Sequence, residues 1–280
     1  MNGYGKLQRV YVRTPDADDL RAWRDHGWHR PPDAAAVHRE HRAFRELLAD
    51  AGAEVIVGLT RVPGDPDAIY AYDPTLVLDD GVILLRPGKA ARRAEPAALG
   101  SDFEGAGVPV VAALEPPAVA EGGDLVFLDD ETLLAGVGYR TNDEGVAQLA
   151  ALLASRGISV VPFDLPHLHG PAECVHLMSF LSPLDEDLVV GYVPMMPVRL
   201  VQLLARRGIA IIEVPEEEFP TLGPNVLALG PRIALALEGN PETRRRMEEA
   251  GVDVRTYAGA DISSNGDGGP TCLTRPLARG

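Results

Sequence analysis

The chain has 280 residues, 46% of them hydrophobic, and carries 41 acidic against 26 basic side chains for a formal charge of −15. That balance leaves no basic stripe to neutralise phosphates, which argues against nucleic acid, while an acidic surface attracts a cationic small molecule. No apolar run is long enough to cross a bilayer, the first residues lack a signal-peptide core, and two cysteines make no disulfide framework, so the cytoplasm is the expected location.

In chain order, Val10-Tyr11-Val12 reads as a first strand. Residues 15–33 follow as an irregular polar stretch containing Trp23, His26, Trp28 and His29. A segment of that length without a core face suggests a surface loop or lid, whose tryptophans either cover a pocket or pack the segment down. A helix over residues 43–51 then runs into Gly52 and the strand Val55-Ile56-Val57.

That unit recurs. Gly107 precedes Val108-Pro109-Val110-Val111, Gly157 precedes Ile158-Ser159-Val160-Val161, Gly208 precedes Ile209-Ala210-Ile211-Ile212, and Gly251 precedes Val252-Asp253-Val254. Helices are predicted ahead of three of these, over 145–156, 198–207 and 241–250, with a weaker one near 101–105. Glycine takes the left-handed conformation that ends a helix at low cost, so helix, glycine, strand is one physical signature.

Between these units lie four hairpin-like pairs of apolar runs: 76–78 with 82–85, 125–128 with 132–135, 179–181 with 188–191, and 226–229 with 233–237. Each unit therefore reads strand, strand, helix, strand. Four hairpins serve five helix-strand pieces, and pairing of the terminal run 271–277 with Val10-Tyr11-Val12 supplies the fifth. The expected architecture is α/β, a closed ring of five ββαβ modules in a single domain over 1–280, with both chain ends in one module.

Three local features carry chemistry. Cys272 follows Gly268-Gly269-Pro270-Thr271, a glycine-rich approach that fixes a thiol on backbone; it is either a nucleophile or a small buried hydrophobe. Glu121-Gly122-Gly123-Asp124 sets two carboxylates around a tight passage before a predicted strand. His176 lies in an apparent strand, Cys174 to Phe180, and is either a catalyst or a hydrogen-bonded structural residue; Cys174 reads as a buried neighbour. His38 with His41, and His167 with His169, lack a third ligand of clear type, so neither a metal nor another cofactor is expected.

Taken in order, these segments resemble the guanidine-modifying superfamily of dimethylarginine hydrolases, arginine deiminases and arginine amidinotransferases. The matching residues are Leu85-Arg86-Pro87-Gly88 with Arg92-Arg93, Glu121-Gly122-Gly123-Asp124, Arg140-Thr141-Asn142, His176-Leu177-Met178-Ser179, Asn225, and Gly268-Gly269-Pro270-Thr271-Cys272. The resemblance implies a five-bladed ββαβ propeller with pseudo-five-fold symmetry. It implies Cys272 as nucleophile, His176 as acid and base, and Glu121 as the partner of His176. Asp73 would pair with a guanidinium, Arg86 and Arg140 would grip an α-carboxylate, and Tyr70 and Asp124 join the substrate-binding set. The implied partner is a small cationic guanidine, and a homodimer is compatible with the sequence.

Departures from the family pattern bear on the substrate. Deiminases and amidinotransferases carry an Asp two residues after the catalytic His, where this chain has Met178. An apolar residue cannot pair a bare NH₂ but can lie against an N-alkyl group, which favours an alkylated arginine. Dimethylarginine hydrolases show Phe-x-Glu-Asp, where this chain has Tyr70-Ala71-Tyr72-Asp73, so one substrate contact is replaced. The Gly-Gly-Pro-x-Cys form is closer to deiminases. Deimination, amidino transfer and a non-catalytic binder of a cationic ligand are the rival readings. A cysteine peptidase ranks last because its local cysteine signature is missing.

Overall fold

A computed structural model describes residues 2–171 and 175–280; Cys174 lies outside them. The chain runs β1 (Leu7–Arg13), α1 (Ala34–Asp50), β2 (Glu54–Gly58), β3 (Thr75–Leu78), β4 (Gly81–Leu84), α2 (Glu95–Gly105), β5 (Val110–Ala113), β6 (Leu125–Asp129), β7 (Thr132–Val137) and α3 (Asp143–Ala154). It continues with β8 (Ser159–Asp164), β9 (Leu181–Asp185), β10 (Leu188–Gly191), α4 (Val198–Arg206), β11 (Ala210–Glu213), β12 (Leu227–Gly230), β13 (Ile233–Leu237), α5 (Pro241–Glu249), β14 (Asp253–Tyr257) and β15 (Arg275–Arg279).

The strands form five three-stranded sheets, ordered β15-β1-β2, β3-β4-β5, β6-β7-β8, β9-β10-β11 and β12-β13-β14. In each, the first pair is antiparallel and the second is parallel, the parallel strands being joined through a helix. The first sheet takes β15 from the end of the chain and β1 from its start, as the sequence pattern requires. Gly52, which ends α1, has φ 90°, and Gly107, Gly157, Gly208 and Gly251 are left-handed too, with φ between 70° and 82°.

Strand alternation sends successive side chains to opposite faces, so each sheet feeds two cores. Val10 and Val12 pack with Leu227, Leu229, Leu235 and Leu237 of the β12-β13-β14 sheet. Tyr11, between them, packs with Val77 and Val82 of the β3-β4-β5 sheet. Three further cores lie between the β3 and β6 sheets, the β6 and β9 sheets, and the β9 and β12 sheets. No helix among the described residues is long and apolar enough to cross a membrane.

Local bounds differ from the pattern reading in three places that matter. Helix α1 begins at Ala34, well before residue 43, because the Asp33 carboxylate accepts from the Ala35 and Ala36 amides and caps it there. His176 is not in a strand: it caps a single 3₁₀ turn, Leu177–Ser179, through reciprocal bonds with Ser179, and the strand starts at Leu181. The run from Thr271 to Thr274 is coiled into turns by Leu273 N–H to Gly269 O (3.1 Å) and Thr274 N–H to Thr271 O (3.1 Å), so β15 starts only at Arg275.

Residues 15–33 are anchored at several points although much of the segment is exposed. Trp28 is buried in the core, its indole N–H donates to Asp67 (2.9 Å), and the His29 amide donates to the Asn265 carbonyl (2.9 Å).

Candidate active site

Five polar side chains stand at equivalent places, each just ahead of the first strand of a module: Asp73 before β3, Glu121 before β6, His176 before β9, Asn225 before β12 and Cys272 before β15. Loops at one end of a repeated unit are where side chains from separate modules can converge.

His176 Nε2 lies 2.8 Å from Glu121 Oε2, and its Nδ1 lies 3.8 Å from Asp73 Oδ1. Glu121 is fully buried and also accepts from the Lys89 amide (3.0 Å), with Arg140 Nη1 at 3.3 and 3.4 Å from its two oxygens. Burial opposes its charge, but the hydrogen bond and charge of His176, with Arg140 behind, outweigh it and hold the carboxyl down at about 2. A fixed carboxylate on one ring nitrogen orients the imidazole and favours its protonated form.

Asp73 is buried as well, and much of its capacity is committed internally. Its Oδ1 accepts from the Gly123 amide (2.8 Å), and its Oδ2 takes a short bond from Arg92 Nη1. Arg92 is itself gripped by Glu95 through Nε (2.6 Å) and Nη2 (2.9 Å), and donates to the Tyr70 carbonyl (2.9 Å). Gly123 has to be glycine, since a Cβ there would meet His176 Nδ1 at 2.3 Å.

The cysteine loop is tied to this cluster through backbone. The Tyr72 amide donates to the Cys272 carbonyl (3.3 Å), and the Gly122 amide donates to the Asp73 carbonyl (2.9 Å), so residues 72–73 connect the thiol loop to the Glu121 turn. Asn225 clasps the loop at two points: Nδ2 is 3.2 Å from Cys272 Sγ, and Oδ1 accepts from the Thr271 amide (3.2 Å). Cys272 is partly buried against the core that contains Trp28 and Tyr70. An amide N–H aimed at sulfur stabilises the thiolate, the form that acts as nucleophile.

Two of the residues expected in the substrate-binding set, Tyr70 and Asp124, are buried and hydrogen-bonded within the fold. Tyr70 is buried, its hydroxyl donates to the Ile262 carbonyl (3.1 Å), and its ring lies so close under Gly268 that a Cβ there would meet it at 2.1 Å. Asp124 is fully buried, accepting from Thr141 Oγ1 (2.6 Å) and the Leu177 amide (3.2 Å). The Tyr70 ring thus packs against the cysteine loop, and Asp124 holds the turn that follows His176. Burial raises the Asp124 carboxyl to about 7, with His176 and Thr141 opposing.

Arg140 sits against Glu121, while Arg86 is half-buried, with Nη1 3.3 Å from the Ala118 carbonyl and its backbone bridged to Ala120. Met178 is buried in the core between the β6 and β9 sheets. With Tyr72, Thr271 and Arg275 it also lines a cavity of about 40 Å³. The Arg275 guanidinium stacks on the Tyr72 ring at 4.2 Å, so the tyrosine that replaces the family's Glu is engaged by an internal cation.

Sequence reasoning gave Asn225 and Arg92 no individual role. Their signal was positional for Asn225, which occupies the same pre-strand place as the other four residues; Arg92 entered only through the family resemblance, and while Glu95 is three residues away, its bond to Asp73 spans 19 residues. Among the described residues, two groups have ligand atoms close enough to hold a metal ion, Asp73-Glu121-His176 and His26-Asp65-Asp67. In the first, Arg92 and Arg140 already balance the carboxylates. His41 is buried on α1, and burial pushes its imidazole down to about 3, with Arg45 and His38 adding to the effect.

A family model described as "Arginine deiminase" matches residues 62–206 and 196–279. The dimethylarginine dimethylaminohydrolase of Streptomyces coelicolor is 30% identical over 246 residues, covering 87% of both chains. Among solved structures, a mutant of the Pseudomonas aeruginosa dimethylarginine dimethylaminohydrolase complexed with citrulline superposes with TM-score 0.78 at 24% identity, over 96% of this chain and 98% of that one. The N-terminal domain of the cyanobacterial arginine dihydrolase ArgZ, bound to substrate, gives TM-score 0.83 at 22% identity, over 97% and 98%. With its five ββαβ modules and its set of pre-strand polar residues, this chain belongs to the arginine deiminase family of the guanidine-modifying superfamily and stands close to the dimethylarginine dimethylaminohydrolases.

Proposed function

We propose that the protein is a cysteine-dependent hydrolase that cleaves a guanidine C–N bond of an N-methylated or otherwise N-alkylated arginine, giving citrulline and an alkylamine. The observation that carries this reading is the linked set of Glu121, His176 and Asp73, with Cys272 held in its loop by Asn225. The architecture that suits it is a five-bladed propeller acting as one catalytic unit over residues 1–280, each blade contributing one residue from its pre-strand loop. Five cores, each between consecutive sheets and returning to the first, support that closure.

In this mechanism the Cys272 thiolate adds to the electron-poor guanidinium carbon. Protonated His176 gives its proton to the departing nitrogen, the C–N bond breaks, and an S-thiouronium remains on the cysteine. Neutral His176 then takes a proton from water, the oxygen attacks the same carbon, and the C–S bond breaks to return thiolate, while the remaining hydroxyl proton passes to solvent and leaves the ureido carbonyl. Glu121 stabilises the imidazolium in both half-reactions. Asp73 takes up the substrate cation, and Arg140 and Arg86 serve the carboxylate.

Deimination of arginine is the second reading, favoured by the family model and by Gly269-Pro270-Thr271-Cys272. Assay of Nω-methylarginine and arginine in parallel separates the two: citrulline with methylamine supports the first, citrulline with ammonia the second. Cys272→Ser is expected to abolish turnover while circular dichroism and Tm stay near wild type. Full activity in that variant would end the proposal.

A further inference from the structure

The segment between β1 and α1 is pinned by one buried carboxylate. Asp67, in the 3₁₀ turn Pro66–Ile69, is 4% exposed and meets three polar side chains. Its Oδ1 accepts from the Trp28 indole N–H (2.9 Å), and its Oδ2 accepts from Lys89 Nζ (2.6 Å), with His26 Nδ1 at 2.9 Å. Burial opposes its charge, but His26, Arg92 and Lys89 outweigh it and hold the carboxyl far below the usual carboxylate range. With both oxygens taken by donors, Asp67 serves as an acceptor hub, and the His26-Asp65-Asp67 group reads as an anchor rather than a metal site.

The two arms of this hub reach different halves of the candidate active site. On one side, Lys89 Nζ also donates to the His26 carbonyl (2.8 Å). The Lys89 amide donates to Glu121 Oε1 (3.0 Å), the carboxylate whose other oxygen lies 2.8 Å from His176 Nε2. On the other side, Trp28 packs against the loop that leads to Cys272. A Cβ on Gly266 would meet the Trp28 ring at 2.8 Å, and Tyr70, whose ring centroid is 6.0 Å from that of Trp28, lies against Gly268. Arg30 adds ties to the same loop, its amide donating to Asn265 Oδ1 (2.9 Å) and its Nη1 to Asp261 Oδ1 (2.7 Å). Cys272 packs on the core that holds Trp28 and Tyr70.

We propose that Asp67 is a positioning residue: through Lys89 it holds the amide that orients Glu121, and through Trp28 it holds the approach to Cys272. One buried charge thereby keeps the imidazole half and the thiol half of the site in register. This role rests on the catalytic reading above, and Asp67 acts through Lys89 and Trp28 rather than on substrate. A carboxylate suits the task because its charge-assisted bonds are shorter and stronger than neutral ones, the more so away from water. An amide in its place keeps one oxygen and sets an NH₂ against a donor on the other side, so it cannot hold both arms.

The test pairs Asp67→Asn with Lys89→Met, which removes the ammonium and keeps the backbone amide. The Lys89 side chain is 24% exposed, so its variant carries the test should the buried Asn fail to fold. Two readouts are taken: hydrogen exchange of the Lys89 amide by NMR, which needs no substrate, and kcat and KM on Nω-methylarginine and arginine. Each variant is expected to speed that exchange by about tenfold or more, the scale of one charged contact. Each should also lower kcat by about tenfold or more and leave KM within about twofold. The double variant should be no worse than Asp67→Asn alone, because both changes cut the same contact. Unchanged exchange or kcat in folded variants overturns the proposal, as do additive losses or a loss confined to KM or Tm. A wild-type protein inactive on both substrates ends the functional reading instead, and exchange of the Lys89 amide then decides by itself whether Asp67 holds it in place.

Discussion

At the scale of single residues, Asn225 and Asp124 separate two ways of supporting chemistry. Asn225 touches the sulfur itself, so Asn225→Ala removes one donor to the thiolate and one acceptor for the Thr271 amide. We expect kcat/KM to fall by about 10- to 100-fold, the range of one charge-assisted hydrogen bond, with the thiol's titration, followed by iodoacetamide alkylation, moving to higher pH. An unchanged alkylation profile would sink the idea that Asn225 poises the thiol. Asp124 acts through the backbone of Leu177, and its carboxyl titrates at about 7 in the fold against an ordinary 3.8. Because the folded value is raised, the protonated acid is the form the fold prefers. Stability from this group is present below the ordinary value and is lost as pH rises through about 7. Asp124→Asn mimics the neutral acid, so denaturant titrations should show a shallower decline between about pH 4 and 7 and a gain of up to a few kcal/mol at pH 8. Equal slopes in the two proteins would refute the assignment.

At the scale of elements, the turns that precede strands carry the site and the glycines that follow helices carry the fold. Gly123 and Gly52 illustrate the division. A methyl group on Gly123 would drive into the His176 ring, whereas one on Gly52 would meet nothing but would hold a left-handed φ of 90°. Gly52→Ala is therefore expected to cost about 1 kcal/mol of stability and leave kcat unchanged. Gly123→Ala should cut kcat at least about 100-fold if His176 is the general acid proposed above, since displacing such a group by about an ångström has that scale of effect. Comparable activity losses in both variants would remove the distinction. The sequence showed this division only partly. The glycine-strand repeat was visible because every helix has to end, but the 3₁₀ turn at Leu177–Ser179 was read as strand. Its apolar residues fit either period over so short a span, and its cap depends on Ser179 turning back to the His176 amide.

For the whole molecule, the proposed ring depends on β15 returning to β1. That pairing runs from Leu7 opposite Arg279 to Tyr11 opposite Arg275, and Arg279 also donates to Gly5 and Ala228 carbonyls (2.6 and 2.9 Å), linking the first sheet to the fifth. Removal of residues 275–280 is expected to expose the edge of β1 and the core of Val10 and Val12, abolishing the cooperative thermal transition seen by calorimetry. A truncated chain with an unaltered Tm would mean that the sheets do not need closure.

The sequence by itself determined the module: its order of strands and helix, the number of its copies, and the meeting of the two ends. Those follow from apolar periodicity and from the need for glycine after a helix, which are local rules. It also marked Cys272, His176 and Glu121, through their local settings and the resemblance to the guanidine-modifying superfamily. Tertiary structure alone decided the partners. That Asp73 is taken up by Arg92, that Asn225 reaches the sulfur, and that Tyr70 and Asp124 bond to the Ile262 and Leu177 backbone all depend on contacts between distant segments. Periodicity fixes which face a side chain leaves from; only the packing of one module against the next fixes what it meets.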